Sequence, residues 1–198
     1  MVLHETSFEA EGEPGLYRLA ASAALAWPGT WTITSISAAP VIAAPWGGAP
    51  HTIAEYRRRV ERMLQDVATA GITGSEWLRH PPSGWLPVLE ISVKGLVALK
   101  TRPENHLASV GVGQIKEKFG RLRLYASAIG NRRLQAAVAQ ICAWAELCCE
   151  NRCMMTGMPG TLRQGDWLLT LSDEARELQV SDPDTFAARL YPPCPDHR

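Results

Sequence analysis

The sequence predicts an α+β domain, a small antiparallel sheet built on a hairpin at residues 109–126 and packed by three or four helices. Three observations carry that prediction. Leu122, Leu124 and Ala126 alternate with Arg121, Arg123 and Tyr125, giving a strand with one buried and one wet face. Ile53, Tyr56, Val60, Met63, Leu64 and Val67 recur at spacings of three and four, the period of an amphipathic helix. Leu134, Val138, Ile141, Ala145 and Cys148 repeat that stripe beyond the hairpin.

From the N-terminus, residues 15–27 read as an Ala-rich helix and Trp31–Ser37 as a β-branched strand that extends the sheet or one face. The apolar run Leu19–Trp27 follows Glu5, Glu9, Glu11 and Glu13, whereas a secretory signal opens with basic residues. It is also shorter than the roughly 20 residues that span a bilayer. Residues 38–51 hold Pro40, Pro45 and Pro50 among small residues and mark a boundary. The expected organisation is an extension at 1–50, a core at 51–180, and a short helix with a frayed tail at 181–198.

Within the core, Thr52 and Glu55 form a capping box for a helix over 52–70, and Gly71 is placed to end it. A connector broken by Pro81-Pro82-Ser83-Gly84 leads to a helix over 87–100, with Pro87 in its first turn. Gly95 weakens that helix and so implies close packing against a neighbour. In the first strand of the hairpin, Val110 and Val112 share one parity while Ile115 and Phe119 take the other, which predicts a bulge near Gly113-Gln114. Asn131 caps a helix over 132–149, residues 153–167 read as loop, and Ser181-Asp182-Pro183 opens a last short helix.

Composition narrows function by exclusion. The hydrophobic fraction is 46% and the charged fraction 20%, ordinary for a folded domain. Twenty basic and twenty acidic residues cancel, which argues against a dedicated nucleic-acid binder. Seven dispersed tryptophans suggest core use rather than a stacking platform. Four of the five cysteines fall between 142 and 153 with no disulfide framework, and this points to a reducing cytoplasm. No Walker loop, dinucleotide fingerprint or Cys-His catalytic signature is present.

Two basic groups are candidate binding residues. Lys116, Glu117 and Lys118, with Arg121 and Arg123 across the turn, offer a contact surface for phosphate or an acidic partner. Their structural alternative is cross-strand pairing, such as Glu117 with Arg121 or Arg123, worth about 0.2–1 kcal/mol each. Arg57 and Arg58 are a second such group, or simply a solvated helix face.

The hairpin and the segment after it resemble an uncharacterised family of bacterial and phage genomes. Its members carry a Val-Lys-Glu-Lys-Phe-Gly-Gly-Leu-Arg-Phe-Tyr hairpin, a helix, Cys-x-x-Cys-Gly-x-Pro-Gly and then Thr-Leu-Cys-Asp-x-His. The likeness spans about residues 84–176 through Gly84-Trp85, Ile115–Gly120, Leu122–Tyr125, Ala145-Glu146, Gly157, Pro159-Gly160, Leu162-Arg163, Trp167 and Thr170-Leu171. It implies a zinc knuckle at 153–173, but of its ligands only Cys153 remains. Thr156, Ser172 and Ala175 stand at the other three positions, and neither a neutral hydroxyl nor a methyl group makes a zinc site. The knuckle is therefore expected to be degenerate, to survive on packing around Trp167 and Leu171, and to need no cofactor. Any substitute metal would have to use Cys149, Cys153, Cys194 and His197.

The expected function is a non-catalytic protein-binding module, an inhibitory protein of the immunity or phage counter-defence kind, with another protein as partner and no membrane. A nucleic-acid-associated protein using the basic hairpin and helix face is the alternative, and an enzyme of unknown type the third. Oligomeric state is left open.

Overall fold

A computed structural model describes residues 44–165 and 167–193. The helix expected at 15–27 and the strand at Trp31–Ser37 lie outside them, as do Cys194 and His197.

Helix α1 spans Ile53–Thr69 and begins as its sequence dictates. The Glu55 N–H donates to Thr52 Oγ1 at 3.1 Å, while the Glu55 carboxylate accepts from the His51 N–H rather than from Thr52. Its end is a Schellman turn. Gly71 takes φ +67, its N–H reaches Ala68 O, and the Ile72 N–H reaches Val67 O. After short turns at Ser75–Leu78 and Ser83–Trp85, α2 spans Leu86–Lys100. Strands β1 (Ser109–Lys118) and β2 (Arg121–Ile129) then form the hairpin. Its register shifts between Val112 and Gln114, so the bulge falls where the parity change places it.

Helix α3 spans Arg132–Cys148, with Asn131 Oδ1 accepting the Leu134 N–H at 2.9 Å. A second, shorter hairpin follows, β3 (Thr161–Arg163) with β4 (Leu169–Leu171). Two helices close the described chain, α4 (Asp173–Ser181) and α5 (Pro183–Leu190). Helix α5 begins at the expected Asp182-Pro183. Helix α4 is additional to the expected elements, although Ser172 caps it and Asp173 and Glu174 occupy its first turn, where carboxylates suit the helix dipole.

The fold is α+β, as expected, with two separate antiparallel hairpins instead of one. Packing runs in sequence from α1 to α2, α2 to α3, and α3 to β2. One hydrophobic cluster joins these layers, including Trp85, Leu89, Leu96, Ile141 and Trp144, and it reaches Ala44, Phe186 and Leu190 near the ends of the described chain. Gly95 has the role its position implies, since a Cβ there would sit 3.0 Å from Ile141 Cδ1. Of the described tryptophans, Trp85 and Trp144 are buried, whereas Trp46, Trp77 and Trp167 are exposed, so core use accounts for only part of them. Among the described residues no helix is long and apolar enough to cross a membrane.

Candidate functional site

The β1–β2 turn positions the candidate surface. Phe119 and Gly120 are its two central residues, and both have positive φ, +56 and +73. Such a turn matches the right-handed strand twist, and its first position ordinarily takes Asn, Asp or Gly. A phenylalanine there sits in the left-handed region at a cost of about 1–2 kcal/mol. Its ring is nevertheless 62% exposed. Gly120 is indispensable, because a Cβ would fall 2.9 Å from Thr170 N and 2.6 Å from Leu162 Cδ1. The turn therefore leans on the β3–β4 hairpin at Leu162 and Thr170, and Leu162 and Trp167 on that hairpin are themselves 48% and 70% exposed.

Glu117 ties the two hairpins together. One carboxylate oxygen accepts the Gly120 N–H, and the other accepts Trp167 Nε1–H at 3.0 Å. Burial and the nearby Glu117 carboxylate push the Tyr191 phenol up to about 12. The expected Glu117–Arg pairs do not form. Register sets Glu117 opposite Leu122, so its side chain leaves the sheet on the face away from Arg121 and Arg123. Those arginines instead reach α3 and its end, Arg121 pairing with Glu150 at 3.0 Å and Arg123 with Glu146 at 3.2 Å. Lys116 and Lys118 stay on the exposed face. Their ammonium groups lie 5.3 Å from the Tyr125 ring centre and 5.6 Å from that of Phe119.

Arg57 and Arg58 do not join this surface, because α1 packs on α2 and the Ser75–Leu78 turn. Arg57 Nε–H donates to Pro193 O at 3.0 Å. Arg58 borders a polar cleft with Arg62, Asp66, Glu90 and Lys94.

Beside the hairpin, Cys153, Thr156 and Ser172, three of the four positions of the expected degenerate knuckle, lie together, while Ala175 reaches them only through its backbone N–H. Ser172 Oγ donates to Cys153 Sγ at 3.5 Å, and the Thr156 N–H donates to the same sulfur at 3.4 Å. Thr156 Oγ1 lies 3.4 Å from Ser172 Oγ, which also accepts the Ala175 N–H at 3.4 Å. Hydrogen bonds thus link Cys153, Thr156 and Ser172 directly. Burial alone raises the Cys153 thiol, but donation from Ser172 and Thr156 outweighs it and leaves Cys153 below the ordinary value. The backbone path is held by main-chain bonds, including Cys153 N–H to Met158 O and Gly84 N–H to Met154 O, both 2.7 Å. Leu171 is buried beneath it, whereas Trp167 lies outside the packing expected of it.

Arg152 carries no signal in the sequence, yet it is the buried fastener of this region. Its guanidinium donates to the carbonyls of Cys148, Gly157, Ala44, Pro45 and Gly47, and lies 5.0 Å from the Trp46 ring centre. The 44–48 segment, the end of α3 and the 153–160 loop are thereby joined. Burial lowers its pKa, against the opposing effects of Cys149 and Cys148.

Cys149 is fully buried, and desolvation pushes its thiol well up. Among the described residues no group of three His, Cys, Asp or Glu side chains is placed to hold a metal. A cleft of about 360 Å³ lies between the 47–53 segment, the 155–158 loop and α4–α5, lined in part by His51, Thr156, Glu174 and Arg189. Cys153 lies behind Thr156 and does not open onto it. No family model matches the chain, and no curated protein or solved structure matches it either.

Proposed function

We propose that the protein is a non-catalytic protein-binding module whose contact surface is the tip of the β1–β2 hairpin. The observation that carries this reading is Phe119, held at φ +56 with most of its ring in solvent. Backbone strain persists where surrounding structure or function demands it, and Phe119 contributes little packing in return. Lys118 and Lys116 give it a basic rim, with the Lys118 ammonium 5.6 Å from the Phe119 ring centre. Exposed apolar groups rimmed by polar ones are characteristic of protein contacts.

The knuckle serves as a scaffold for this surface. It holds β3 and β4 under the Gly120 turn through hydrogen bonds at Cys153, Thr156 and Ser172. An inhibitory role, of the immunity or counter-defence kind, suits a surface without catalytic groups and the resemblance to a phage-borne family. Four free thiols, at Cys142, Cys148, Cys149 and Cys153, fit a reducing cytoplasmic setting. The nucleic-acid alternative has less support, since Arg121 and Arg123 are engaged with glutamates and α1 faces elsewhere.

The test is to place a photoreactive phenylalanine analogue at position 119 or at position 58 and to compare cross-linking in the source cells. A protein adduct is expected from position 119 and none from position 58. Adducts confined to nucleic acid would overturn the reading.

A further inference from the structure

The hairpin has a second feature, the outer edge of β1, and its use as a docking edge rests on the protein-binding function proposed for the tip. In a two-residue hairpin the flanking residues, Lys118 and Arg121, form the closing hydrogen-bonded pair. Alternation back along β1 then aims the main-chain N–H and C=O of Ile115 and Glu117 away from β2. The same edge is already in use above the bulge. The Thr73 N–H donates to Val110 O at 3.2 Å and the Val112 N–H to Thr73 O at 2.9 Å, a parallel bridge. Below the bulge, among the described residues, no strand lies beside Ile115 and Glu117.

Charge states what would fit there. Lys116 and Lys118 are exposed on the adjoining face, and among the described residues neither meets a carboxylate. We propose that a partner protein adds an acidic extended segment as a new strand along β1 at Ile115 and Glu117. Its carboxylates meet Lys116 and Lys118, and its end rests against Phe119. An open edge offers alternating donors and acceptors, which another strand matches in full. A phosphate backbone offers acceptors alone and would leave the Ile115 and Glu117 carbonyls facing negative charge.

The test uses the full chain, isotope-labelled for amide NMR, and a capped synthetic peptide alternating Glu and Val. Controls are the same peptide N-methylated on alternate residues and an oligothymidylate. The proposal expects the unmodified peptide to slow exchange of the Ile115 and Glu117 amides by about tenfold or more at saturation. N-methylation removes that effect, and the double variant Lys116→Glu/Lys118→Glu weakens binding by about tenfold, the equivalent of two lost ion-pair contacts in a charged rim. If the peptide shifts Phe119 and Trp167 but leaves both exchange rates unchanged, strand addition is overturned while the hairpin contact stands. If no hairpin resonance responds to peptide, both readings fall. Response to the oligothymidylate alone overturns both in favour of nucleic acid. Protection of both amides in the free chain overturns the proposal, since the edge is then already covered.

Discussion

Replacing Thr156 and Ser172 with Cys and Ala175 with His should convert the knuckle into a zinc site. The geometry sets the expectation. Zinc–sulfur bonds of about 2.3 Å in a tetrahedron separate ligand atoms by about 3.8 Å. Cys153 Sγ, Thr156 Oγ1 and Ser172 Oγ already lie 3.4–3.5 Å apart where they touch, so a few tenths of an ångström of expansion admits the metal. Ala175 lies in the first turn of the helix that Ser172 caps, where a histidine can turn back toward the sulfur. Zinc at a hundredfold excess over its Kd would stabilise the folded state by about 2.7 kcal/mol, raising Tm by about 5–10 °C in a chain of this size. The assay is metal analysis of the triple variant after exhaustive dialysis, with thermal unfolding in zinc and in chelator. One zinc per chain and a chelator-sensitive Tm are expected. A folded triple variant without zinc would refute the claim that these four positions retain a ligand-like arrangement.

Other perturbations probe the scaffold and the tip. Arg152→Met leaves the carbonyls of Ala44, Pro45 and Gly157 without their donor and should cost about 3–5 kcal/mol in denaturant unfolding; a loss under about 1 kcal/mol would show that the guanidinium is not the fastener. Gly84→Ala puts a Cβ 2.1 Å from Cys153 O, so a loss of about 3 kcal/mol or more is expected, and an unchanged Tm would contradict that packing. Phe119→Asn relieves the left-handed strain while giving up a little over a third of a ring's burial. These effects nearly cancel, so stability should stay within about 1 kcal/mol while the contact surface is lost; a large destabilisation would make Phe119 a structural residue. Cys153 has a depressed folded pKa, so its ionisation favours the native state above the ordinary thiol value, and that contribution is lost as pH falls through the folded value. The stability gap between wild type and Cys153→Ala should accordingly widen from pH 7 to about pH 9, and a gap independent of pH would show that the thiol is not tuned.

Local signals in the sequence are enough to place most elements. Thr52, Asn131 and Asp182 cap helices because their side chains reach amides three residues on, and Gly71 ends α1 because it tolerates positive φ. The bulge is readable because parity alone separates Val112 from Ile115. What escapes is tertiary. Proximity along the chain assigns Glu117 to the arginines, although a two-residue turn sets it opposite Leu122 and sends its carboxylate to Gly120 and Trp167. Ser172 reads as a lost ligand, which conceals its second role as the cap of α4. Arg152 gives no signal, because its acceptors are main-chain carbonyls, and three of them, those of Ala44, Pro45 and Gly47, lie more than a hundred residues away. Cys153, Thr156 and Ser172 lie together in the fold, but the likeness that singled them out in the sequence carries no information on the surface above them.

The measurement that bears most directly on the central claim is co-purification from the source cells with the chain and two variants of it, Phe119→Asp and Arg58→Glu. A contact surface at the hairpin tip predicts a protein partner that stays with the wild type and with Arg58→Glu and is lost from a folded Phe119→Asp chain. Retention of that partner by Phe119→Asp would contradict that claim, and its loss from Arg58→Glu alone would move the contact surface from the hairpin to α1.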